Sequence, residues 1–201
     1  MFDDVHTFHR FARPYDWVMP GADAAVLAGG LDVARRPVDR VLDLGGGPGR
    51  AVRALGATEG LVLDAAGGMV RRAAGHGLAA IQGDAARLPL REAAVDAVVV
   101  TDALHHMRGH EAVLAECARV LRPGGALLVR EFDPGTRRGW ALVATEHLVG
   151  FDSTFHRPDD LADMVAAAGL TPVVVERGFA YTVAGLAPGG PGRSESGSPK
   201  S

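Results

Sequence analysis

An α/β fold, a doubly wound and mostly parallel sheet with helices on both faces, is predicted by three observations. Short β-branched or leucine-rich runs alternate with helical stretches from residue 39 onward. These runs are apolar on both faces, as strands covered on both sides must be. The first of them runs straight into a glycine cluster, Gly45-Gly46-Gly47-Pro48-Gly49, at the strand end where open α/β sheets bind ligands.

Residues 1–38 are expected to form an N-terminal helical cap. Phe2, Phe8, Phe11, Tyr15 and Trp17 precede an alanine-rich helical pattern over 21–31, and Pro37 closes the segment. Strands are expected over 40–44, 60–64, 78–82, 95–101 and 126–132, with helices over 50–55, 68–74 and 111–121 between them. In the last helix Val113, Leu114, Cys117, Val120 and Leu121 recur at helical spacing, and Pro123-Gly124-Gly125 reads as its stop. A less regular stretch follows to His156. A helix opened by Pro158-Asp159-Asp160 and closed by Gly169 comes next, then two closing strands over 172–176 and 181–187. The main domain is thus 39–188, with 133–156 as an insertion on the substrate side. Residues 189–201 carry no apolar side chain larger than proline and are expected to be a disordered tail.

Composition narrows the function. With 201 residues, 47% of them apolar and 22% charged, the chain has enough apolar surface for one sizeable core. The net charge of -3 and the lack of a long basic run argue against nucleic acid as partner. No stretch of 18 apolar residues occurs, so no membrane span is expected. The single cysteine, Cys117, excludes an internal disulfide and suits a reducing cytoplasm. Lys200 is the only lysine, so neither a pyridoxal Schiff base nor a Walker A loop can be built in the folded body.

The run Asp43-Leu44-Gly45-Gly46-Gly47-Pro48-Gly49-Arg50 carries the strongest functional signal. Glycine is needed where the backbone takes positive φ or must touch a ligand. A dinucleotide fingerprint starting at Gly45 would require glycine or alanine at position 50, where Arg50 stands. Asp64 ends the second strand 21 residues beyond Asp43, where an acid that accepts from ribose hydroxyls is expected.

What fits instead is Asp-x-Gly-x-Gly-x-Gly over 43–49, which resembles motif I of the class I S-adenosylmethionine-dependent methyltransferases. Asp64-Ala65-Ala66-Gly67-Gly68-Met69 resembles that family's acidic residue and following helix. Gln82-Gly83-Asp84-Ala85 resembles its adenine-binding segment, and Asp96 to Thr101 with Ala103-Leu104-His105-His106 resembles its fourth strand and tip. The resemblance runs in order over 39–132 and more weakly to 187. It implies a Rossmann-like sheet of seven strands, the last antiparallel, and S-adenosyl-L-methionine as cofactor. Asp43, Gly45, Gly47 and Gly49 would then line its methionine end together with Thr101, Asp64 would hold the ribose, and Asp84 with Ala85 the adenine. No metal is required by that chemistry, and none is expected. Phe11-Ala12-x-x-Tyr15-Asp16 is similar to the opening of the ubiquinone/menaquinone C-methyltransferases, but the asparagine that should follow is missing and His105-His106 replaces their Arg-Asn pair.

No aromatic residue occurs between Val18 and Glu131, whereas Trp140, Phe151 and Phe155 fall in the insertion. A small, apolar or aromatic acceptor is therefore expected. His106 is the first choice for a base and His105 the second, with His156, Asp102 and Glu131 as further candidates. The expected function is methyl transfer to a small molecule by a cytoplasmic monomer or homodimer. Two rivals stand beside it: a non-catalytic binder of S-adenosylmethionine or S-adenosylhomocysteine, and an NAD(P)-dependent oxidoreductase sharing the same sheet logic.

Overall fold

The structure, a computed structural model, describes residues 23–189. The aromatic part of the expected cap, 1–22, and the tail, 190–201, lie outside the described residues. The chain first forms α1 (Ala24–Leu31), whose N-terminus is closed by the Asp23 carboxylate accepting from the Ala25 and Val26 amides. Then follow β1 (Arg40–Leu44), α2 (Arg50–Leu55), β2 (Glu59–Asp64), α3 (Gly67–Gly75), β3 (Ala79–Gln82) and β4 (Val95–Thr101). A single 3-10 turn, Leu104–His106, leads to α4 (His110–Val120), β5 (Leu121–Phe132), α5 (Arg137–Val149), α6 (Pro158–Ala167), β6 (Thr171–Glu176) and β7 (Ala180–Leu186).

The seven strands stand in the order β3-β2-β1-β4-β5-β7-β6. β1 to β5 are parallel to one another, and β7 runs antiparallel to both β5 and β6. This is the predicted doubly wound architecture. Alternate residues of the central strands feed two cores. Leu42, Leu44, Val98, Val100, Leu127 and Val129 pack with α4 and α6 on one face. Val41, Ala97, Val99, Ala126 and Leu128 pack with α1 and α2 on the other. Gly30 lets α1 lie directly on β5, because a Cβ there would fall 2.2 Å from Leu128 Cδ1. The order of strands reverses between β1 and β4, which leaves a crevice at their carboxyl ends.

Two departures from expectation have local causes. The helix α4 ends at Val120, three residues before Pro123, because Leu121 is already extended and pairs with Val95 of β4. Pro123-Gly124-Gly125 is thus an irregular part of β5, where a Cβ on Gly125 would meet the Asp96 carbonyl at 2.6 Å. The stretch expected to be irregular holds the 13-residue α5 instead. Thr136 caps it, its Oγ1 accepting from the Gly139 amide at 3.0 Å, and Gly150 ends it at φ 91°.

Candidate active site

The loop after β1 folds back because Gly45, Gly47 and Gly49 all take positive φ, between 55° and 82°. Their roles differ. Gly45 and Gly47 face a cavity of about 550 Å³ at the crevice, a size suited to a small ligand. A Cβ on Gly45 would stand 2.7 Å from Met107 Cε and 2.9 Å from Ala103 Cβ, so the backbone itself forms the wall. Gly49 turns away from the cavity: its Cβ would strike Leu78 Cδ1 at 2.1 Å, so its glycine serves packing of the loop on the sheet.

Asp43 also departs from its expected place. It is fully buried beneath the loop, outside the cavity wall, with Oδ2 accepting from the Val52 amide at 3.2 Å and Oδ1 left without a partner. Burial drives its pKa up to about 6, against the pull of the Val52 and Ala51 amides and of Arg50. A Cβ on Gly46 would lie 2.4 Å from Asp43 Cγ, which explains a fourth glycine that loop dihedrals alone do not demand.

Asp64 reaches the cavity from the tip of β2. Its Oδ2 accepts from the Gly47 amide at 2.9 Å and its Oδ1 from the Ala66 amide at 2.8 Å, so one carboxylate ties the glycine loop to the start of α3. Asp84 and Ala85 line the same cavity beyond β3, where Asp84 Oδ1 accepts from the Ala86 amide and shapes the turn. Thr101 closes the cavity from β4, and Asp102 follows it at φ 51°, an uncommon backbone state for a residue with a side chain. Burial, reinforced by the Glu131 charge, raises the Asp102 pKa even though Arg130 Nη1 lies 3.4 Å away. Arg50 stands on the wall where a dinucleotide site would have its third small residue.

The histidine turn is held by Glu131 at the end of β5. Its Oε1 accepts from the amides of Ala103, Leu104 and His105 at 3.2, 2.7 and 3.3 Å, and its Oε2 takes His105 Nδ1 at 2.6 Å. His105 is buried and stacks on Phe155, ring centres 4.4 Å apart. Burial acts to lower its pKa, but the charges of Glu131, Glu146 and Asp102 outweigh it and raise the value. His106 is the one that reaches the cavity; its Nδ1 lies 3.1 Å from Ser153 Oγ and its ring contacts Phe151. Burial and the adjacent His105 push its pKa down to about 3. Access and basicity are therefore divided between the two neighbours. His156 lies off the cavity wall, its Nε2 2.6 Å from His110 Nδ1.

The segment after α5 contributes Asp152 to the cavity and Ser153 and Phe151 behind His106. Trp140, expected over the acceptor, is instead 70% exposed on α5. Met107, Arg108 and Met69 also line the cavity. Met69 belongs to the run 64–69 already marked in the sequence, whereas Met107 and Arg108 carried no signal there because their positions follow from how the turn is aimed. Glu146, which approaches His105 from α5, was hidden for the same reason as α5 itself.

A glycine wall, two carboxylates some distance apart and an apolar lining between them fit a nucleoside with an aliphatic extension, which is the shape of S-adenosyl-L-methionine. The fold is the one shared by S-adenosylmethionine-dependent methyltransferases of known structure. Residues 42–129 match the methyltransferase domain family. It is 37% identical over 115 residues to a demethylmenaquinone methyltransferase of Mycobacterium sp. (strain KMS), covering 56% of this chain and 50% of the relative. The chain thus spans about half the length of the curated relatives it matches. A chain of the Haloferax volcanii complex between the Trm112 methyltransferase activator and a methyltransferase superposes with TM-score 0.77 at 22% identity, covering 94% of this chain and 99% of that one. A Thermotoga maritima S-adenosylmethionine-dependent methyltransferase gives 0.72 at 20%, covering 90% and 98%. At that identity the likeness is one of fold.

Proposed function

We propose that the protein transfers a methyl group from S-adenosyl-L-methionine to a small, apolar or aromatic acceptor. The observation that carries this reading is the single cavity into which Gly45 and Gly47, Asp64, Asp84 with Ala85, and Thr101 all converge from four strand ends. When bound, the cofactor supplies a methyl carbon on positively charged sulfur, and the electron pair of the broken carbon–sulfur bond stays on sulfur. Asp64 holds the ribose hydroxyls with lone pairs left over from its two amide contacts, and Asp84 with the Ala85 amide holds the adenine edge. The Gly45 and Gly47 backbone and Thr101 face the methionine moiety. His106 is the side chain offered to the acceptor, and His105, fixed by Glu131, stands behind it.

The mycobacterial relatives are named for a demethylmenaquinone substrate, which agrees with a ring-shaped acceptor. The half-buried rings of Phe151 and Phe155 behind the histidines supply an apolar flank for one. A reducing cytoplasm, in keeping with the lone cysteine Cys117, and a monomeric or homodimeric state belong to the same reading. Among the described residues no helix is long and apolar enough to cross a membrane.

One observation favours the non-catalytic rival: an imidazole with a pKa of about 3 is a weak proton acceptor for a hydroxyl. Incubation with methyl-labelled cofactor and a panel of phenols, hydroquinones and amines separates the two. Label in at least one phenolic or hydroquinone product is expected; cofactor binding without transfer to any acceptor or to extract components would leave the binder.

A further inference from the structure

Next to the cavity, three side chains point ligating atoms at one another. One atom each of His105, His106 and Glu146 lies within 4.8 Å of the other two. They come from two separate elements, the turn after β4 and the last turns of α5.

The tautomer of neutral His105 follows from its neighbours. Glu131 accepts from Nδ1, so the neutral ring carries its hydrogen there and presents a bare Nε2. That nitrogen faces Glu146 Oε1 at 3.7 Å. The gap is too long for a hydrogen bond. It is close to the ~3.3 Å that separates two ligands each 2.0–2.1 Å from a tetrahedral zinc ion. The other oxygen of Glu146, Oε2, is buried and has no partner, a costly state for a carboxylate unless a cation completes it. Glu131 and Glu146 place two negative charges on one imidazole, and the nearby Arg130 is engaged with Asp102.

We propose that His105, His106 and Glu146 form a divalent transition-metal site, with Glu131 as the carboxylate that orients His105 behind it. Two imidazoles and one carboxylate are a donor set for Zn2+ and its first-row neighbours and a poor one for Ca2+ or Mg2+, which take oxygen. The Glu131–His105 pair has the form in which metal-bound histidines usually occur, one ring nitrogen on the ion and the other on a carboxylate. Because His106 belongs both to this cluster and to the cavity wall, the ion would sit beside the acceptor. Its role there rests on the methyl-transfer reading: a dication lowers the proton affinity of an adjacent acceptor hydroxyl, the proton leaving to solvent.

The test uses the full chain, stripped with chelator and dialysed, titrated with Zn2+ by calorimetry and with Co2+ by visible absorption. One ion per chain is expected, with the intense d–d bands of four-coordinate Co2+. Glu146→Gln and His106→Gln should each weaken binding at least about ten-fold, and His76→Gln, at an exposed position capping the C-terminal end of α3, should leave it unchanged. Glu146→His, which keeps a donor at that position, should retain an ion with shifted Co2+ bands and keeps the test decisive if Glu146→Gln unfolds. The site is overturned if the wild-type chain takes up no ion, if Glu146→Gln and His106→Gln bind as wild type does, or if Glu146→His binds none while folded. S-adenosylhomocysteine binding, measured on the same samples, reports separately on the methyltransferase reading.

Discussion

Asp43 and Asp64, two aspartates at neighbouring strand ends, have been given opposite environments, and each yields a distinct expectation. Asp64 sits on the cavity wall with a solvated face, so Asp64→Ala removes a charged acceptor from the ribose and is expected to weaken S-adenosylmethionine binding by about 1–3 kcal/mol. Titration calorimetry measures this directly, and unchanged affinity would remove Asp64 from the site. Asp43 is sealed beneath the loop, and its folded pKa of about 6 lies above its ordinary 3.8. The folded state therefore holds a proton that the unfolded chain has lost between about pH 4 and pH 6. In that window the contribution of Asp43 falls as pH rises, by a total on the order of 3 kcal/mol, and stays low above it. Asp43→Asn cannot ionise. Its stability relative to wild type should climb from pH 4 to pH 6 and level off near pH 7 in urea unfolding series, with any lost hydrogen bond adding only a constant offset. A pH-independent difference would show that Asp43 titrates normally. The sequence marked both aspartates as binding candidates because both follow apolar runs at the right spacing; burial, which separates them, depends on how Gly46 lets the loop close over Asp43.

Secondary elements were legible wherever pattern and punctuation agreed. β1, β4 and α2 match their expected bounds, because each is a short apolar run or turn framed by glycine, proline or charge. α5 was not legible, since it shows little amphipathic pattern and carries Gly139 in its first turn. That glycine is a packing requirement: a Cβ there would fall on the Asp133 carbonyl oxygen. The signals that could have revealed α5 are its ends, Thr136 as cap and Gly150 as terminator. Thr136→Ala should cost about 1 kcal/mol and raise amide hydrogen exchange selectively along α5, leaving β4 and β5 protected. Equal exchange in variant and wild type would mean that the cap contributes nothing. Because α5 delivers Glu146 to His105, a loosened α5 should also weaken metal uptake in step with its exchange.

Over the whole molecule, the reversal of strand order between β1 and β4 makes the crevice, and the four motifs found in the sequence fall at consecutive strand ends around it. That much could be read without coordinates, since strand alternation and right-handed crossovers leave few arrangements. The division of labour between His105 and His106 could not, because it depends on Glu131 reaching across from β5 to hold one imidazole and not the other. A ligand that fills this crevice binds the folded chain alone. Saturation at 100 times its Kd should add about 2.7 kcal/mol, raising Tm by roughly 5–10 °C for a chain of this size. The most direct measurement is a calorimetric titration of the same purified sample with S-adenosylmethionine, S-adenosylhomocysteine and NAD in turn. One molecule of each sulfur compound per chain and no heat with NAD is the expected result; binding of NAD alone, or of none of the three, contradicts it.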